Sequence, residues 1–182
     1  CAGLAPAASR QASGWAGAWG ASPTIPPSGG KSFENQTVRQ VVRLSTGGTA
    51  VRIRFTNEYG DKPLEIGAAT VAIAGADGKP TGEFRTLTFG NAPSVTIPAG
   101  APLLSDPVTL DVKALESLSI SIFLPTATGP CTCHFAGTAT AYISGPGNFT
   151  QATFEPASTF TNRAFISGVE ITRPDPRTIV AF

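Results

Sequence analysis

The sequence predicts an all-β protein, an antiparallel β-sandwich or jelly roll. Roughly eight to ten short strand-type runs follow one another with turn signals between them and almost no helical repeat, the pattern of such folds. The 182 residues include 20 Gly and 16 Pro, spread along the chain rather than pooled. Many short elements account for that spread better than disorder does. A hydrophobic content of 41% is enough for the core of one domain.

Taken in order, the Val-rich run Thr37 to Ser45 is the first strand. Thr46-Gly47-Gly48 turns the chain into Ala50 to Thr56, where Val51, Ile53 and Phe55 alternate with Arg52 and Arg54. Alternation of this kind puts one face on a core and the other in water. The two runs together read as a β-hairpin. A polar loop, Asn57 to Pro63, precedes a strand over Leu64 to Ala74, closed by the turn pair Asp77-Gly78. Phe84 to Phe89, Ser94 to Ile97 and Val108 to Val112 are short strands. Val112 to Ser117 is the one stretch with helical character. In the cleanest period-two segment, Leu118, Ile120, Ile122 and Leu124 alternate with Ser119, Ser121 and Phe123. Thr138 to Ser144 alternates Thr138, Thr140 and Tyr142 against Ala139, Ala141 and Ile143. Phe160 to Ile171 is the last long strand.

The two ends differ from this body. The chain has no Met and begins with Cys1, followed by a polar small-residue segment from Ala2 to Ser13. One reading is a mature lipoprotein with Cys1 lipidated and residues 1–14 as a flexible tether, secreted or lipid-anchored at the cell envelope outside the cytoplasm. The other is a chain boundary that happens to fall on Cys. Arg173-Pro174-Asp175-Pro176-Arg177 reads as a stiff linker. It leads into the apolar run Thr178 to Phe182, expected to be the orphan first strand of a following domain. The division is therefore a tether over 1–14, a β-sandwich over 15–172, and a linker with one strand over 173–182.

Charge and chemistry narrow the function. A net charge of +1 with 13 scattered basic residues gives no electrostatic footprint for nucleic acid. No apolar run approaches the roughly 20 residues of a transmembrane helix. There is one histidine, His134, and no Gly-x-Ser-x-Gly elbow, HExxH or phosphate loop. No catalytic set is expected in this chain. His134 reads either as a base or, with better support, as a loop residue with satisfied hydrogen bonds. Cys131 and Cys133 lie near the upper Cα limit for a disulfide along a regular strand, so they bond only if the loop kinks. A ring so small would add little stability. With His134 they make three potential ligands in four residues and no second pair, so neither a metal nor a cofactor is expected. If the chain grips a glycan, the stacking candidates are Trp15, Trp19, Tyr59 and Tyr142, with Asn57, Glu58 and His134 as polar partners. Alternatively the tryptophans pack the N-terminal segment onto the sandwich.

A resemblance adds to these readings. Asn35 to Arg43, Val51 to Gly60 and Pro63-Leu64-Glu65-Ile66-Gly67 resemble the N-terminal β domain of two-domain secreted SGNH (GDSL-type) hydrolases. So do Leu87-Thr88-Phe89-Gly90, Ser94 to Gly100, and Leu104-Ser105-Asp106-Pro107-Val108. Trp15, Trp19, Thr132, His134 and Phe165-Ile166-Ser167-Gly168-Val169 extend the likeness over most of the chain. Cys131 and Cys133 depart from the family's pattern. The resemblance implies an esterase parent whose Gly-Asp-Ser nucleophile and Asp-x-x-His pair would follow Phe182. This chain would then be an accessory domain that shapes the substrate cleft or binds a polysaccharide or acylated glycan. Its partner would be the catalytic domain of the same precursor. The alternatives are a stand-alone carbohydrate-binding module and a purely structural domain.

Overall fold

A computed structural model describes residues 14–75, 78–135 and 137–173. Cys1, the tether up to Ser13 and the run Thr178 to Phe182 lie outside those residues. Fifteen strands follow in chain order, with no helix among the described residues. The first five are β1 (Gly14–Gly20), β2 (Gln36–Arg43), β3 (Gly48–Thr56), β4 (Leu64–Ile66) and β5 (Ala68–Ala74). Then come β6 (Arg85–Thr86), β7 (Val95–Ile97), β8 (Pro102–Leu104), β9 (Val108–Val112) and β10 (Ser117–Leu124). The last are β11 (Cys133–His134), β12 (Ala141–Pro146), β13 (Ser158–Phe160), β14 (Arg163–Ala164) and β15 (Ile166–Arg173).

Two antiparallel sheets carry the fold. One runs β1-β15-β3-β8, with β9 also on β3; the other runs β13-β12-β2-β10-β5-β6. The short pairs β11-β14 and β4-β7 stand apart from both. The core comes from the alternation seen in the sequence. Val51, Ile53 and Phe55 of β3 are buried with Val169 and Ile171 of β15, and opposite them lie Val38, Val42, Leu118, Ile120 and Ile122.

The expected hairpin does not form. β2 pairs with β10 and β12, whereas β3 pairs with β15, β8 and β9. Each run carries a full apolar face, so the two oppose each other across the core instead of lying side by side. The crossing between sheets is tight. A Cβ on Gly47 would stand 2.5 Å from the Val112 carbonyl oxygen, and one on Gly48 would collide with the Thr172 carbonyl and the Ile171 side chain. The strand expected over Leu64 to Ala74 is likewise divided, because Gly67 gives its N–H to the Phe123 carbonyl at 3.0 Å and β4 and β5 part there.

The helical stretch at Val112 to Ser117 is a turn. Leu115 has φ +64°, and the Glu116 carboxylate accepts the Lys113 N–H at 2.8 Å. Six residues cannot repay helix nucleation without tertiary support. The run from Phe160 to Ile171 is also broken. Phe165 sits in the left-handed region at φ +59°, which turns the chain from β14 into β15. A bulky residue there costs about 1–3 kcal/mol. Full burial of its ring against Phe33, centroids 6.0 Å apart, offsets that cost. β1 pairs with β15 through a bulge between Gly17 and Trp19. Five of its seven residues are Gly or Ala, which carry little β-propensity and mask the two tryptophans.

One polar residue points into the core. Gln40 on β2 is 0% exposed. Its Nε2 donates to the Ala164 carbonyl at 2.8 Å, and its Oε1 accepts the Ala164 N–H at 2.7 Å. The side-chain amide thus acts as a strand neighbour for β14. Gln40→Leu would keep the volume but leave both backbone groups of Ala164 buried and unpaired. We expect a loss of about 2–4 kcal/mol by urea unfolding; a loss below about 0.5 kcal/mol would contradict this role.

Candidate functional site

The residues singled out in the sequence are built upward from that amide. β14 is held by Gln40 and pairs Ala164 with Cys133 of β11. The sulfurs of Cys131 and Cys133 are bonded, with the Cα atoms 5.3 Å apart. The loop kinks enough to bring the pair within bonding range. Thr132 between them is fully buried. It accepts the Phe165 N–H on its carbonyl at 3.0 Å and the Tyr59 N–H on its Oγ1 at 3.2 Å.

A strap from Gly20 to Gly30 lies over this assembly. The Cys133 carbonyl accepts both the N–H of Thr24, at 2.9 Å, and its hydroxyl, at 2.8 Å. Nδ1 of His134 is 2.9 Å from the Ser22 carbonyl. A carbonyl only accepts, so Nδ1 carries the proton.

Four candidates gather around the strap. Tyr59 is 45% exposed and lines a shallow groove with Pro26, Pro27, Asp61 and Pro130. Glu58 lines another with Arg54, Ser167 and Ala21 to Pro23. Arg54 Nη1 and Nη2 meet its two oxygens at 3.1 and 3.2 Å, and Thr56 Oγ1 donates to it at 2.8 Å. The hydrogen bond from Arg54, reinforced by that from Thr56, holds the Glu58 carboxyl below the usual glutamate range. His134 and Trp19 share a third hollow with Arg43 and Arg163. Burial lowers the pKa of Arg163 from its ordinary value, while its guanidinium bonds the carbonyls of Asn162 and Ala139.

The other candidates lie elsewhere. Asn57 is 2% exposed, and its amide donates to the carbonyls of Lys62, Ile97 and Pro98 at 2.9 to 3.1 Å. Its side chain organises the loop from within. Trp15 stands on the outer face of its sheet with the Arg52 guanidinium 4.2 Å from the ring centroid, and Arg52 pairs with Glu170. One of its two stacking faces is therefore occupied. Tyr142 lies on the opposite side of the sandwich, in a cleft with Arg39.

Sequence reasoning missed two contributors. The strap has no periodic pattern, only Pro and small residues. Arg39 sits inside the Val-rich run of β2 between Val38 and Gln40, and the sequence does not mark it as more than one of the scattered basic residues. No helix among the described residues is long and apolar enough to cross a membrane. No protein-family model matches the chain, and no curated protein matches it either.

Two outcomes are expected. A folded carboxyl with a depressed pKa stabilises the native state above about pH 5, and that contribution is lost as pH falls through the folded value. Thermal melts of Glu58→Gln should therefore fall less steeply with acid than wild type. The difference should stay below about 1 kcal/mol, because the pair is partly exposed; parallel acid limbs would refute it. Asn57→Ala removes the amide donor shared by the Lys62, Ile97 and Pro98 carbonyls and should cost about 2–3 kcal/mol in denaturant unfolding.

Proposed function

We propose that this chain is the accessory β-sandwich of an extracytoplasmic SGNH-type ester hydrolase. It packs beside the α/β catalytic domain and shapes the substrate cleft with its strap surface. The observation that carries this reading is the set of apolar side chains exposed on a fixed frame. Ile25 in the strap is 73% exposed, and Tyr59, 45% exposed, lines a groove with Pro26, Pro27 and Pro130. Large exposed apolar groups of this kind suit an interdomain contact. The Cys131–Cys133 bond supports an oxidising compartment.

In this reading the chemistry belongs to the partner domain. Its serine attacks the acyl ester carbonyl, the alcohol leaves, and water releases the acid from the acyl-enzyme. In this reading His134 serves position: the bond from its Nδ1–H to the Ser22 carbonyl ties β11 to the strap. A stand-alone carbohydrate-binding module is the second reading, favoured by Tyr142 and Phe154 lining one cleft.

The test uses the protein of the full reading frame. That protein should hydrolyse a short-chain p-nitrophenyl ester. Joint Ile25→Asp and Tyr59→Ala replacement should lower kcat/KM about tenfold, or about 1.4 kcal/mol, at unchanged Tm. The 182-residue chain alone should give no turnover. Robust turnover by this chain, abolished in His134→Ala, would overturn the proposal.

A further inference from the structure

The hollow shared by Trp19 and His134 lies at the seam of the two sheets and gathers positive charge without an acid. Trp19 comes from β1 in one sheet and Arg43 from the end of β2 in the other, while His134 and Arg163 are cross-strand partners in β11-β14. Arg163 is 4% exposed. Its Nη1 donates to the Asn162 carbonyl at 3.0 Å and its Nη2 to the Ala139 carbonyl at 2.7 Å. A guanidinium has five N–H donors. Nε–H and one N–H on each terminal nitrogen therefore have no acceptor among the described residues. Ser119 Oγ is the one fully buried side-chain polar atom among those residues that lacks a partner, so the unpartnered Nε of Arg163 still touches the surface. Arg43 is exposed, and its side chain has no hydrogen bond or ion pair among the described residues; the described ion pairs belong to Arg52, Arg54 and Arg85.

Clamping the loop at Ala139 accounts for two donors of Arg163. It does not account for a second arginine on the same hollow, where like charges repel and no acid lines the wall to offset them. Burial lowers the Arg163 pKa, the effect expected of a cation taken from water without a counter-charge. With two arginines and no Asp, Glu or Lys, the lining carries two positive charges, which suits a dianion better than a monoanion. His134 adds no negative charge, and with Nδ1 bonded to Ser22 its Nε2 has no partner among the described residues. The donors belong to different strands rather than to one guanidinium. A planar carboxylate fits a parallel pair of N–H groups on a single arginine, whereas a tetrahedral oxyanion turns its oxygens in several directions and accepts from separate ones. The hollow measures about 310 Å³, at the small end of ligand sites, and exceeds what a bare oxyanion needs. Its aromatic wall, Trp19, suits an apolar group attached to that anion.

We propose that this hollow binds the dianionic phosphate group of a small phosphomonoester, its oxygens on Arg43 and Arg163 and its organic part against Trp19. The inference does not depend on the accessory-domain reading, since binding by this chain is measured without any ester hydrolysis. NMR titration of the 182-residue chain at about pH 8, where a phosphomonoester is dianionic, tests it. The probes are phenyl phosphate, inorganic phosphate, and two compounds that keep the ring but carry one charge, methyl phenyl phosphate and benzoate. Phenyl phosphate should bind with a Kd of about 1 mM or below, tighter than inorganic phosphate and at least about tenfold tighter than either monoanion. The shifts should centre on Trp19, Thr138 and Arg163. Arg43→Gln removes one charge at an exposed position and should weaken binding about tenfold. Thr138→Glu sets a carboxylate at the exposed rim without touching the Arg163 hydrogen bonds, so it should abolish binding at unchanged Tm. No binding of phenyl phosphate at about 10 mM, equal binding of either monoanion, equal or tighter binding of inorganic phosphate, or an affinity indifferent to both substitutions would each overturn the proposal.

Discussion

The two hydrogen bonds between the Gln40 side chain and the backbone of Ala164 organise one whole end of this molecule. Two stacked sheets leave gaps where short strands belong to neither, and β11-β14 is such a pair. Its inner backbone groups face the core, where an unpaired amide costs free energy. A side-chain amide on β2 supplies both a donor and an acceptor in the geometry of a strand neighbour. With Ala164 fixed, Cys133 is fixed by pairing. With Cys133 fixed, the strap is anchored at Thr24 and His134 is aligned with Ser22. The surface therefore inherits its order from a residue that never reaches it.

The outer faces of the two sheets are treated differently. On the five-stranded sheet the outward Arg52 and Arg54 are paired with Glu170 and Glu58 at the surface. On the six-stranded sheet, loops cover the outward groups, and Ser119, Ser121 and Arg39 are all buried. Thr70 gives its hydroxyl to the Thr150 carbonyl, which ties one of those loops down. The same alternation of apolar and polar residues thus yields a solvated face in one layer and a second, polar interior in the other.

This difference explains what the sequence discloses and what it hides. Period-two alternation identifies the strand content and the all-β sandwich class, and it sorts Val51, Ile53 and Phe55 onto the core face, where the structure buries them. Alternation states which side chains share a face but not which strand lies alongside, so β2 and β3 read as a hairpin although they oppose each other. β1 gives little strand signal because glycine and alanine make up five of its seven residues. Four of the named site residues, Trp19, Glu58, Tyr59 and His134, meet around one strap, but the strap itself has no pattern to read. The remainder, Asn57, Trp15 and Tyr142, are dispersed by contacts between segments far apart in sequence, such as Asn57 with Ile97 and Trp15 with Arg52.

The covalent link between Cys131 and Cys133 closes so small a ring that cutting it would release little chain entropy. Its influence is on direction: it sets the path of Thr132, on which Tyr59 and Phe165 both hang. A thiol-rich milieu would therefore loosen the rim before it touched the layers beneath. Amide protons at the rim would exchange from a partly opened form, while those of β2, β10 and β15 would wait for global unfolding.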